Sequence, residues 1–256
     1  MSQQVKPELL SADAIAGALQ SSYWRVSVVD EIDSTQNYLR TSNPKSGDVI
    51  TAEYQSAGRG RLDRKFDAEK SSALLFSLYF EPESEIKNLS YLTLLVGASV
   101  TATINKITET ENFQCKWPND ILFGDLKVAG LLAEKTVSGV IVGVGINVST
   151  TKSELPVAHA TSIFLATHLQ LDRNTLLAAM LNDLERDLQK WQSGKDLTQK
   201  YRSLSATIGR QVRVALPDGS SVEAAAVDID ETGSLHLDNG RLITVGDVIH
   251  LESKLS

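Results

Sequence analysis

Apolar residues follow two different periods along this chain, and each change of period marks an element. The segment 23–32, YWRVSVVDEI, is rich in β-branched and aromatic residues and predicts a strand. DVITAEYQ (48–55) and SALLFSLYF (72–80) predict two more. Leu89, Leu92, Val96, Val100 and Ile104 then recur at three- and four-residue spacing, which predicts a long buried helix across 84–107. FQCK, ILF and LKVAGLLAE follow as strands, the last two joined by a hairpin at Gly124-Asp125, and VSGVIVGVGINVS is another. Leu176, Met180, Leu184 and Leu188 form one apolar stripe of a second helix, capped by Asp172 or Asn174 and stopped at Gly194. A shorter helix-like piece, LLSADAIAGALQ, precedes the first strand.

From about Ile208 the pattern shortens. QVRVAL, SVEAAAVDI, SLHLD, RLITV and VIHL alternate with turns at Pro217-Asp218-Gly219, Glu231-Thr232-Gly233 and Asn239-Gly240. Short strands with tight turns predict a small β-barrel or sandwich. The expected organisation is a helical segment over 1–22, a main domain over 23–204 and a small β-domain over 205–256, with the boundary near Ser205.

Composition narrows the function classes. A chain of 256 residues buries roughly 70–75% of its unfolded surface, so a core needs no staples. One cysteine, Cys115, allows no internal disulfide and points to a reduced compartment. No run approaches the ~20 apolar residues of a membrane span. The first residues lack the basic-then-apolar layout of a signal peptide. A cytoplasmic protein is expected. The formal charge of −7 argues against broad attraction to nucleic acid, although a local basic site for phosphate stays compatible with it.

Such a site has candidates. Between the second and third strands lies SAGRGRLDRKFDAEKSS, without hydrophobic periodicity. A loop of that length is functional or disordered as a rule. Arg59 and Arg61 stand on glycine-permissive backbone with Arg64 and Lys65 close behind, and guanidinium forks suit phosphate and carboxylate. A solvated surface loop fits the same composition. Lys116-Trp117-Pro118-Asn119-Asp120 packs a cation, an indole, an amide and a carboxylate at a strand end, where sites often lie; an ordinary Asn-Asp turn is the plain alternative. Lys127 sits in an apolar strand, where an ammonium either pairs with an anion or reaches water along its stem. Asp33-Ser34-Thr35 reads as a helix N-cap, yet Ser34, Thr35 and Gln36, like Gln55 at a strand end, could also hold a polar ligand head. The four histidines show no metal spacing.

The order DSTQ, EYQSAGRGRLDR, KWPNDI, LKVAGLLAE, GVGINV and then a small β-domain closely resembles the biotin protein ligases, from about Tyr23 to the C-terminus. The resemblance implies an α+β fold, a mixed β-sheet backed by helices of the class II synthetase-like kind, followed by an SH3-like β-barrel. It implies a ligase that adenylates biotin with ATP and Mg2+, then passes it to a lysine of the biotin carboxyl carrier protein of acetyl-CoA carboxylase. Ser34, Thr35, Gln36 and Gln55 would hold the ureido head. Arg59, Gly60 and Arg61 would close over biotin and the adenylate, and Lys127 would contact the reacting carboxylate and α-phosphate. Lys116, Trp117, Asn119, Asp120, Arg64 and Phe66 would serve the nucleotide, with Lys127, Arg61 and Asp120 as the catalytic set and no metal ligand assigned. Gly145 and Asn147 would pass close to the ligand. The family usually carries glycine at Asp63 and tryptophan at Phe66. Some members are also repressors through an N-terminal DNA-binding domain, for which the residues before Tyr23 are too few. A ligase-only form is expected, with no DNA, no membrane and room for a homodimer. A lipoate-type ligase and a non-enzymatic binding module remain the alternatives.

Overall fold

The computed structural model describes residues 8–61, 64–82 and 89–251, with 89 and 90 described by their backbone. Asp63 and the first residues of the expected 84–107 helix lie outside the described residues.

The main domain begins with α1 (Ala12–Ala18), β1 (Arg25–Ile32), α2 (Thr35–Thr41), β2 (Asp48–Gln55), β3 (Ala73–Phe80) and α3 (Leu89–Thr108). It continues through β4 (Phe113–Lys116), β5 (Asp120–Phe123), β6 (Leu126–Lys135) and β7 (Val140–Asn147), then α4 (Ile163–Thr167), α5 (Arg173–Gln192) and α6 (Thr198–Ser203). Seven strands form one mixed sheet in the order β1-β2-β3-β7-β6-β5-β4. Only the β1–β2 pair is parallel; the other pairs are antiparallel. β3 reads as a nearly unbroken apolar run because it is buried at every position. A strand covered on both faces has no solvent side to alternate with.

One face carries α1, α3 and α5 over the largest apolar cluster, built around Leu92, Val96, Ile104, Leu177 and Leu181 against Phe76, Val142 and Ile146. α2 packs on the opposite face, where Leu39 meets Ile50, Tyr79 and Ile141. Asp172 caps α5 by accepting from the backbone N–H of Asn174 and Thr175. Asn174, the other capping candidate, instead accepts from Ser11 N at 2.8 Å. α4 and α6 went unread because five and six residues are too short to show a helical period.

Beneath α5 lies a buried ion pair. Arg173 NH2 stands 2.8 Å from Glu53 Oε2, with the two side chains 2% and 4% exposed. The contact is an ion pair without hydrogen-bond alignment, since Glu53 Oε2 has no hydrogen-bond partner. Arg173 also donates to Ala73 O and Glu8 O, and Glu53 Oε1 accepts from Leu10 N. Helix, sheet and N-terminal segment are thereby joined at one point.

The five strands expected after Ile208 are β8 (Gln211–Ala215), β9 (Ser221–Ile229), β10 (Leu235–Leu237), β11 (Leu242–Ile243) and β12 (Asp247–His250). They form an antiparallel sheet in the order β11-β10-β9-β8-β12. Its core is shared with the main domain: Val212, Val214, Ile229 and Leu235 cluster with Leu94, Cys115, Trp117 and Tyr201. At the expected boundary the chain is tied down. Cys115 N donates to Leu204 O at 2.7 Å, and Ala206 N donates to Cys115 O at 2.8 Å. Burial pushes the Cys115 thiol up to about 12. No helix among the described residues is long and apolar enough to cross a membrane.

Candidate active site

A cavity of about 730 Å³ opens between the α2 face of the large sheet and the β12 edge of the small one. Every residue expected to contact biotin or nucleotide lines it. Ser34, Thr35 and Gln36 enter from the start of α2, each 3% exposed. Ser34 occupies the N-cap position without making a side-chain cap bond. Thr35 donates from its N–H and hydroxyl to Gln55 Oε1 at 2.7 and 2.9 Å. The Gln55 oxygen is thus engaged, and its amide NH2 is the part left to meet a ligand acceptor. Gln36 donates to Leu132 O at 2.9 Å, and its side chain crosses β7 where a Cβ on Gly143 would lie 2.8 Å away. Only glycine leaves room for that crossing.

The Gly-Arg loop folds back on itself. Gly60 N donates to Arg64 O at 2.7 Å, Phe66 N to Gly58 O at 3.0 Å, and Arg59 bridges Lys65. Its guanidinium groups are paired rather than loose. Arg59 meets Glu134 at 2.8 Å, Arg64 meets Asp247 at 2.7 Å, and Arg61 stands 3.4 Å from Asp247. Arg61 also donates to Asn119 Oδ1 and to Gly246 O. Phe66 lays its ring on β7, where a Cβ on Gly145 would come within 2.7 Å of it.

The turn between β4 and β5 is held from both domains. Asn119 donates to Leu131 O at 2.8 Å and accepts Leu131 N through its own carbonyl. Asp120 Oδ1 receives Lys127 Nζ at 2.6 Å, which identifies the anion the strand lysine needs. Lys127 is not sealed in the core: its side chain is 32% exposed and faces the cavity. Burial holds the Lys116 ammonium below its ordinary pKa, opposed by Asp120 and reinforced by Lys127. Trp117 lines the cavity but is almost wholly buried. Its side chain is 1% exposed, and its indole N–H donates to Gly233 O at 2.9 Å while its backbone N–H donates to Thr207 Oγ1. The indole anchors the two domains, with its hydrogen-bonding edge turned to the small one. Asn147, 6% exposed, donates to Thr161 O.

Two carboxylates escaped the sequence reading. Glu134 and Asp247 pair with loop arginines, and no local pattern in the sequence ties either to one. Among the described residues no group of three or more His, Cys, Asp or Glu could hold a metal ion. Asp120 and Asp247 are paired with Lys127 and with Arg61 and Arg64, so Mg2+ fits this cavity only as an ion held chiefly by substrate phosphates and water.

Comparison with known proteins agrees with this fold. Residues 28–150 match the biotin/lipoate A/B protein ligase family, and residues 207–251 match the biotin protein ligase C-terminal domain. The biotin–[acetyl-CoA-carboxylase] ligase of Mycobacterium tuberculosis is 35% identical, with 93% of each chain covered. The bifunctional ligase/repressor of Escherichia coli is 32% identical over 96% of this chain and 79% of its own length. Among solved structures, the biotin protein ligase of Aquifex aeolicus in complex with biotin and ATP superposes with a TM-score of 0.79 at 31% identity, covering 89% of this chain and 99% of that one.

Proposed function

The chain belongs to the biotin protein ligase family, enzymes that use ATP to join biotin to protein, and from that premise we propose how this cavity divides the reaction among its residues. The observation that carries the proposal is convergence. The start of α2, the Gly-Arg loop, the β4–β5 turn, Lys127 and the glycines of β7 are far apart in sequence and line one cavity.

The biotin carboxylate oxygen attacks the α-phosphorus of ATP. The bond to the β-phosphate oxygen breaks, and pyrophosphate leaves with the electron pair. Ser34, Thr35, Gln36 and Gln55 receive the ureido end, with the free Gln55 amide as a donor to its carbonyl. Negative charge gathers on the α-phosphate, where Lys127 and Arg61 supply fixed positive charge without having to reorganise. Charge on the triphosphate would be further neutralised by Mg2+ bound with it, beside Lys127 and Arg61. In the second step a lysine amine of the biotin carboxyl carrier protein attacks the acyl carbon, the acyl carbon–oxygen bond breaks so that AMP leaves with its electron pair, and the proton on the attacking nitrogen passes to solvent as the amide forms. We assign the reception of that lysine to Asp120, which lies beside Lys116 and Lys127. The Arg59–Gly60–Arg61 loop keeps water from the anhydride. Arg64 and Phe66 approach the nucleotide side. We place this chemistry in the cytoplasm, without DNA, and with the protein free to dimerise.

The test is transfer of labelled biotin to a carboxyl carrier domain in the presence of ATP and Mg2+. Exchange with lipoate in place of biotin would shift the substrate assignment, and absence of exchange with either acid would leave only a binding module.

Phe66→Trp is expected to keep activity and to leave the KM for ATP unchanged or lower. A larger ring on the same face of β7 offers more stacking area to a purine. A large rise in that KM would mean the ring at position 66 does not meet the nucleotide.

A further inference from the structure

Asp247 is the first residue of β12, in a domain to which the sequence assigned no chemistry, yet it projects into the cavity. Its two oxygens serve different arginines: Oδ1 stands 3.4 Å from Arg61 NH1, and Oδ2 accepts from Arg64 NH2 at 2.7 Å. It also raises the pKa of Lys116, opposing the burial that lowers it. Arg61, Arg64, Lys116 and Lys127 thus crowd one wall of the site, and Asp120 is already engaged by Lys127. Without Asp247, Arg61 and Arg64 would lose the carboxylate they share, and Asp120 would be left to oppose both Lys116 and Lys127. The neighbouring Gly246 carbonyl accepts from both terminal nitrogens of Arg61 at 3.3 and 3.2 Å. Arg61 is therefore gripped along one edge by β12 and by Asn119, while its side chain stays 22% exposed on the cavity. An arginine has five N–H donors, so a fork held on one edge still presents donors on another.

We propose that Asp247 is a positioning residue for the ligase reaction: it holds Arg61, together with Arg64, in the orientation that receives the phosphates of ATP. This rests on the assignment of Arg61 to the nucleotide made above. An unpositioned arginine must lose rotamer freedom when it binds phosphate, whereas one held by Asp247 has lost it beforehand. The benefit should fall on nucleotide binding and leave the ureido end of the biotin pocket untouched.

The experiment measures biotin-dependent pyrophosphate exchange for the full chain and for Asp247→Asn, Asp247→Glu and Arg61→Gln, with thermal unfolding of each. Asp247→Asn should raise the KM for ATP about tenfold, the scale of one lost charge-assisted contact. Its kcat should fall as well, because Arg61 also faces the charge that gathers on the α-phosphate, but its KM for biotin should stay within about twofold, a split that uniform loss of structure would not produce. Asp247→Glu, which keeps the charge, should recover most of the loss, and it remains informative if the asparagine variant folds poorly. An ATP KM that is unchanged or lower in Asp247→Asn overturns the proposal, as does an equal rise in the KM for biotin. If Arg61→Gln raises the ATP KM while Asp247→Asn does not, only the positioning role fails. If Arg61→Gln leaves it unchanged, the assignment of Arg61 fails and the positioning role goes with it.

Discussion

Lys127→Ala is expected to slow biotin-dependent pyrophosphate exchange by about two to three orders of magnitude, the usual loss when one preorganised charge donor is removed from a transition state. The ammonium lies at the cavity wall, 2.6 Å from Asp120, on a strand paired on both sides with β5 and β7. Such a strand does not drift, so the charge is fixed in place. The backbone of residue 127 also donates to His159 O and accepts from Thr161 N, both at 2.8 Å, and these bonds survive truncation of the side chain. Asp120 is left without its lysine but is 22% exposed, so water can solvate it and the fold should persist. The loss should therefore appear in rate with little change in unfolding temperature. Near-normal exchange in the alanine variant would remove Lys127 from the mechanism.

Arg173→Ala is expected to be the reverse case, costing stability rather than chemistry. Removing one partner of a buried ion pair strands the other charge, which costs about 3–5 kcal/mol. Glu53, 4% exposed, would keep only the Leu10 N–H as a partner, and the carbonyls of Ala73 and Glu8 would lose their donors. For a chain of this size the midpoint of thermal unfolding should fall by roughly 10 °C. The double variant Glu53→Gln with Arg173→Met should recover part of that loss, because no lone charge remains in the core. Activity per folded molecule at low temperature should change little, since the pair lies outside the cavity lining. A drop below about 1 kcal/mol in the single variant would show that the site relaxes or admits water.

Much of the architecture was legible beforehand. β2 lies over 48–55 as read, and α5 takes the cap expected at Asp172. These features depend on period, turn chemistry and capping, which act over a few neighbouring residues and leave a mark in the local pattern. The motifs DSTQ, GRGR, KWPND and GVGIN were visible for the same reason, and their order pointed to the family before any geometry. Trp117 was less legible. An indole beside Lys116 and Asn119 looks chemical on paper, but its ring ends 1% exposed with Gly233 as its acceptor.

The sequence by itself determined the alternation of strands and helices, the small terminal β-domain and the set of residue types suited to a carboxylate and a nucleotide. Tertiary structure alone decided which charges meet. Asp120 takes Lys127, Glu134 takes Arg59, Glu53 takes Arg173, and Asp247 takes Arg61 and Arg64 across the domain junction. The physical reason is range. Backbone preference and hydrophobic period are set by adjacent residues, whereas a carboxylate can pair with any cation the fold brings within a few ångströms, however distant in the chain. The candidate site contains several such pairs, so its residue types could be read from the chain but its wiring could not.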